Sequence, residues 1–217
     1  MDNLLIFGGT FDPVHNGHIN TAIAIQKHFN FDHFIFLPCK IPLLKNDSIA
    51  SPQERLAMLN LAIEEHPTYH FEIDTREMTR HTPSYMVTTL EDYRQEKGNG
   101  VSITLLMGAD TFEQLHRWYK WERLLQLANI LVIERPGSHD IPPILAATLQ
   151  KHETADKMAI INRTNGLIYR FNAGLYDESS TSIRQQLSEN QSVSLSLPKA
   201  IADYITTNNV YGRSQRF

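Results

Sequence analysis

His15 and His18 stand three residues apart, shortly after a Gly8-Gly9 pair that ends the apolar run Leu4-Leu5-Ile6-Phe7. Imidazole, neutral or charged, donates hydrogen bonds to phosphate oxygens. Two glycines where a strand ends let a ligand come close to the main chain. The stretch from Gly8 to His18, GGTFDPVHNGH, reads as a loop feeding a helix that starts at Asn16 or Gly17. Such a helix points free N–H groups outward at the carboxyl end of a strand, where a phosphate binds well. Each feature has a plainer reading alone, as a common turn or as two solvated histidines. Gathered in one stretch with Thr10, Phe11, Asp12 and Gly17, they favour a phosphate site. The stretch is not a dinucleotide fingerprint, because GxGxxG is absent, nor a Walker loop, because no GK[ST] follows. Zinc is the minor alternative for the two histidines, since no third ligand stands at a recognised spacing.

A second cluster lies far along the chain: Ser179, Ser180, Thr181 and Arg184. Serines and threonines that open a helix are by default its cap. Arg184, about one turn inside, can reach a phosphate gathered by those hydroxyls and N–H groups. Two helix N-termini with cationic partners suit a triphosphate better than a single phosphate. Asp110 reads either as the cap of a short helix or as an acceptor for a ligand. Lys40 and Lys45 lie in the loop CKIPLLKNDSIA. No GxSxG elbow is present, and Cys39, the one cysteine, has no activating neighbours in sequence.

The elements that must hold these groups alternate between strand and helix patterns, which favours a parallel sheet with helices on both faces. Strands are predicted at 4–7, 33–37, 69–73, 101–107, 130–133 and 168–171. A helix runs from about Gly17 to Phe29. Ser51 and Glu54 are spaced as a capping box with Pro52 at the first helical position, so a helix starts there, with Leu56, Leu59 and Ile63 facing inward. Another starts at Thr82-Pro83, with Val87, Leu90 and Tyr93 inward, and stops at Gly98-Asn99-Gly100. Two short helices carry Trp118 and Trp121, Pro136-Gly137 closes the fifth strand, and Pro142-Pro143 opens a helix to about Lys151. Helices at 180–187 and 198–206 and a frayed tail from Gly212 complete the chain. The ends of the first and fourth strands, GGT and GAD, are expected side by side, where strand order reverses and ligands bind. That places Asp110 beside the phosphate loop.

The 217 residues suit one domain, 1–217, with 178–217 a helical portion packed on it. A net charge of -4 gives no broad cationic face for a nucleic acid polymer. A single cysteine, no basic stretch before the first apolar run and no run of membrane-spanning length fit a cytoplasmic protein.

GGTFDPVHNGH resembles the GGTFDPxHxGH signature of the nucleotidyltransferase superfamily, and most closely its bacterial nicotinate-nucleotide adenylyltransferases. Thr82–Leu90, TPSYMVTTL, is similar to the family's TPSYTxxTL, and Gly108–Leu124, GADTFEQLHRWYKWERL, to its GxDxxxxLxxWxxxxxL. SSTSIR and the final LPKAIADYITTNNVY also match. Two departures stand out: Pro42-Leu43-Leu44-Lys45 where relatives often carry PPHK, and Met86 where they usually carry threonine.

The resemblance implies a Rossmann-like, doubly wound parallel sheet of nucleotidyltransferase type. It implies transfer of AMP from ATP to nicotinate mononucleotide, with Mg²⁺ accompanying ATP. His15, His18, Lys45 and Arg184 would stabilise the charge of the reacting phosphates, with Gly8, Gly9, Thr10, Phe11, Gly17, Ser179, Ser180 and Thr181 cradling ATP. Ser84, Tyr85, Met86, Gly108, Asp110, Trp118 and Tyr119 would hold the mononucleotide, with Asp110 on a ribose and Trp118 against the pyridine ring. No resident metal site is expected, and a homo-oligomer is left open. The competing readings are a same-fold transferase with another phosphate acceptor, and a nucleotide sensor without turnover.

Overall fold

The computed structural model describes residues 1–40, 49–81, 83–134, 141–174, 176 and 178–212. Its strands are β1 (Asn3–Gly9), β2 (His33–Pro38), β3 (Phe71–Ile73), β4 (Ser102–Gly108), β5 (Asn129–Ile133) and β6 (Ile168–Phe171). Its helices are α1 (Asn16–Phe29), α2 (Pro52–Glu64), α3 (Arg76–Thr79), α4 (Met86–Lys97), α5 (Ala109–Glu113), α6 (Leu124–Leu127), α7 (Pro143–His152), α8 (Lys157–Asn162), α9 (Ser180–Ser188) and α10 (Lys199–Asn208). All strand pairs are parallel, in the order β3-β2-β1-β4-β5-β6. Order reverses between β1 and β4, so GGT and GAD end neighbouring strands, as the alternating pattern led one to expect.

The strands are apolar on both faces because both faces are covered. Leu4, Ile6, Ile35, Leu37, Ile103 and Leu105 pack with Val87, Leu90, Tyr93, Phe112 and Leu145. Leu5, Phe34 and Phe36 point the other way, onto Ile19 and Ile25 of α1, Met58 and Leu59 of α2, and Ile183, Ile201 and Ile205 of α9 and α10. The period of two along β1 thus sorts its residues between two cores.

Several boundaries differ from the sequence reading, each for a local reason. β3 begins at Phe71, because Pro67–Tyr69 form a 3₁₀ turn and His70 turns at φ 49. The helix expected from Thr82-Pro83 begins at Met86. Tyr85 is extended (φ -78, ψ 127), and the Ser84 hydroxyl bonds to the Glu77 carbonyl at 3.4 Å. Trp118 is extended between two 3₁₀ turns, Leu115–Arg117 and Trp121–Arg123, and lies on no helix. On α2 the capping box of Ser51 and Glu54 forms, but the buried face is rotated. Arg55, Met58, Leu59 and Ala62 are buried, and Leu56 and Ile63 only partly so. The short α3 and α8 carry too little periodicity to show in sequence. Lys45, Thr82, Pro136-Gly137 and 213–217 lie outside the described residues.

Candidate active site

The loop after β1 is shaped by two contacts that admit no extra carbon. A Cβ on Gly9 would sit 2.9 Å from the Phe11 ring, which folds back from φ 50 and is buried. A Cβ on Gly17 would sit 3.1 Å from both His15 Nδ1 and Glu178 Oε2. His15 is the extended N-cap of α1 and only 4 % exposed. Its N–H donates to His18 Nδ1 at 3.3 Å, and the two ring centroids are 3.7 Å apart. Nδ1 is thus the nitrogen of His18 that faces the His15 main chain. Phe11 and Phe7 border the same ring, at 5.1 and 5.9 Å. The N-terminus of α1 is less open than the sequence suggests, for Asn16 donates its N–H to Ser196 and its Nδ2 to Leu195.

The distant Ser/Thr cluster meets this loop. Ser179 caps α9 by accepting the Ser182 N–H at 3.1 Å, and the Ser180 hydroxyl donates to the Pro13 carbonyl at 3.0 Å. Arg184 reaches the Asp12 carbonyl from Nη1 at 2.7 Å and Thr181 Oγ1 from Nη2 at 3.4 Å. Helices α1 and α9 are thereby joined at their N-terminal ends around one loop. Such an arrangement gathers imidazole, hydroxyl and guanidinium donors where negative charge is favoured.

The second group of expected residues surrounds the ends of β4 and α4. Asp110 is exposed in the first turn of α5, and its Oδ1 lies 2.7 Å from where a Gly108 Cβ would be. Met86 spans the two groups, because its Cε is 3.2 Å from the corresponding point on Gly8. Trp118 and Met86 each pack, partly buried, against the same core. Tyr85 and Tyr119 stand exposed with ring centroids 4.7 Å apart.

Three residues that shape the site were not singled out by sequence. Arg55 is fully buried and donates to the Thr10, Cys39 and Lys40 carbonyls at 2.6, 2.8 and 2.9 Å, tying the ends of β1 and β2 together. Tyr211 donates its hydroxyl to Asp12 Oδ1 at 2.7 Å. Glu77 accepts the Thr89 hydroxyl at 2.6 Å under the Ser84–Met86 segment. The capping-box spacing that dated the start of α2 also hid Arg55, since an arginine beside it reads as solvated. Burial pushes the Cys39 thiol pKa up, the hydrogen bond to Thr10 working the other way, so it is a poor nucleophile. Among the described residues no group of three His, Cys, Asp or Glu could hold a metal ion, and no helix is long and apolar enough to cross a membrane. A groove of about 390 Å³ lined by Gln26, Lys27, Tyr69 and His70 lies before β2 and β3, at the sheet's opposite end.

The family model described as cytidylyltransferase-like matches residues 6–186, which include both the Gly8–His18 stretch and the Ser179–Arg184 cluster. A protein of Legionella pneumophila (strain Paris) named "Probable nicotinate-nucleotide adenylyltransferase" is 46% identical over 97% of this chain and 100% of its own length. The same name is borne by a protein of Yersinia pestis (strain Pestoides F), 36% identical over 95% and 94%. The chain belongs to the nicotinate-nucleotide adenylyltransferase family, within the cytidylyltransferase-like group. The fold agrees. A structure titled as the Plasmodium falciparum nicotinic acid mononucleotide adenylyltransferase complexed with NaAD superposes with a TM-score of 0.71. It is 19% identical and covers 97% of this chain and 98% of that one. In this chain Gly8-Gly9 and Gly108 end the adjacent strands β1 and β4, and Met86 Cε lies 3.2 Å from where a Gly8 Cβ would be.

Proposed function

We propose that the protein transfers AMP from ATP to nicotinate mononucleotide, giving nicotinate adenine dinucleotide and pyrophosphate. The observation that carries this reading is the meeting of α1 and α9, which sets His15, His18 and Arg184 around one glycine-bearing loop. Similarity to relatives named for this activity supports the choice of substrates.

The 5′-phosphate of the mononucleotide attacks the α-phosphorus of ATP, a bond from that oxygen to phosphorus forms, and the bond to the β-phosphate oxygen breaks. No protein nucleophile is required, because the attacking oxygen is already ionised. Catalysis then consists of alignment and of donors aimed at developing charge. His18 offers Nε2 and Arg184 its guanidinium. Lys45 adds charge from the loop that leads into α2. Asp110 accepts from the mononucleotide's ribose, and Trp118 stacks on its pyridine ring. Met86 and Val87 open α4, so their N–H groups lack carbonyl partners within the helix and suit the pyridine carboxylate.

Mg²⁺ would accompany the triphosphate, held mainly by phosphate and water oxygens rather than by side chains of this chain. When bound it neutralises phosphate charge. The 1–217 chain is read as one domain in which the segment from 178 onward completes the triphosphate side.

Pyrophosphate release from ATP with the acid mononucleotide, and with its amide counterpart, tests the reading. Release with the acid, at a kcat/KM at least about tenfold above the amide, is expected, since an amide NH₂ facing N–H donors leaves a polar group unpaired. No release with either would refute it.

A further inference from the structure

We infer that Tyr211 is a positioning residue of the triphosphate site, acting through Asp12. Asp12 is buried, and its carboxylate accepts three hydrogen bonds from distant parts of the chain. Oδ2 accepts the Ile49 N–H at 2.8 Å, and Oδ1 accepts the Ala50 N–H at 3.1 Å and the Tyr211 hydroxyl at 2.7 Å. Asp12 thus spends three of about four lone-pair sites on groups of the protein itself and leaves little for a substrate. It joins three parts of the chain instead. Its carbonyl receives Arg184 Nη1 at 2.7 Å, and the same nitrogen is 3.8 Å from Oδ2.

The placing of Tyr211 is built into the end of α10. Asn209 caps that helix at φ 52 in the left-handed region, and the chain turns back. Val210 donates to the Ile205 carbonyl at 3.1 Å, and Val210 and Tyr211 become buried. The Tyr211 phenol is a neutral donor at any ordinary pH. Burial first, and then the Asp12 carboxylate, push its pKa far up. The hydroxyl thus fixes Oδ1, the carboxylate fixes the main chain at residue 12, and that main chain fixes Arg184. Ile49 and Ala50, just before α2, hang from the same carboxylate. The turn that follows α10 thereby sets the geometry of a cation, Arg184, that no residue of α10 itself supplies.

The inference rests on ATP occupying the α1–α9 end. Tyr211→Phe in the full chain removes only the hydroxyl. Loss of one hydrogen bond to a charged group is expected to raise the KM and the calorimetric Kd for ATP about tenfold, with kcat and the KM for nicotinate mononucleotide within about twofold of the parent. Asp12→Asn is expected to weaken ATP at least as much, and adding Tyr211→Phe to it is expected to cost nothing more, because both act through one carboxylate. Unchanged ATP constants in Tyr211→Phe would overturn the inference. So would equal weakening of both substrates, a fall in kcat alone with a lowered melting temperature, or fully additive effects. The parent protein separates the two readings: if it binds no ATP, the assignment of the site is wrong, whereas normal ATP binding with an indifferent Tyr211→Phe refutes only the role of Tyr211.

Discussion

Arg184 and Asp12 are 172 residues apart in sequence, and Arg184 Nη1 donates to the Asp12 main-chain oxygen at 2.7 Å. Nη1 is spent holding the loop and Nη2 also reaches Thr181 Oγ1 at 3.4 Å, and in the proposed mechanism the remaining donors serve a phosphate. Arg184→Ala is expected to raise the KM for ATP strongly while sparing the binding of nicotinate mononucleotide. Arg184→Lys is expected to recover little, because a point ammonium cannot reach the carbonyl and a phosphate together. Separate titrations of the two substrates check this. Damage to mononucleotide binding with ATP untouched would reverse the proposed orientation.

His18→Ala is expected to lower turnover by about 10²–10³ with the fold intact, the usual cost of removing a preorganised donor to developing charge. The ring packs beside Phe11 and Phe7 but is only part of a larger core, so circular dichroism and melting temperature are expected to change little. Steady-state kinetics on the purified variant decide. Near-parental turnover would remove His18 from the mechanism.

Arg55→Met keeps much of the side-chain volume but strips the Thr10, Cys39 and Lys40 carbonyls of their donor. Each part-buried acceptor left unpaired costs up to about 1–3 kcal/mol, so a net loss of about 2 kcal/mol or more is expected. Desolvation relief on deleting a buried charge offsets part of this but leaves the sign unchanged, since no replacement donor arrives. Denaturant unfolding measures the difference. A loss below about 1 kcal/mol would mean that water has filled the donor's place.

Glu77 carries the pH dependence. It is 3 % exposed, and burial raises its carboxyl pKa, with the Thr89 hydrogen bond and Arg80 pulling partly back. A raised folded pKa means that the folded state binds the proton more tightly than the unfolded chain. The stability from this group is therefore full below the unfolded pKa and is lost as pH rises through the raised one. Glu77→Gln stays neutral and still accepts the Thr89 hydroxyl. The variant is expected to gain on the parent as pH rises toward neutrality, relative to about pH 4, where both are uncharged here. Unfolding free energies measured across that range test it, and a difference independent of pH would contradict the assignment.

What the sequence determined by itself was everything carried by short spacing. The apolar pairs of β1, the GGTFDPVHNGH loop, the Ser51–Glu54 capping box and the β–α alternation are local, and local sterics and hydrogen bonding make them legible. They were enough to indicate a parallel sheet and its reversal point between β1 and β4. Short elements were lost for the same reason, since α3 and α8 are too brief to show a period. The start of α4 and the setting of Trp118 depended on contacts made elsewhere, as when Ser84 turned to the Glu77 carbonyl. Tertiary structure alone decided which charged groups went inside. Arg55 could be buried only because three strand-end carbonyls converge on it, and Asp12 is a hub only because Ile49, Ala50, Arg184 and Tyr211 arrive there from distant parts of the chain. No propensity or spacing encodes such a meeting, because its energy comes from satisfying buried polar groups that the folded core has already cut off from water.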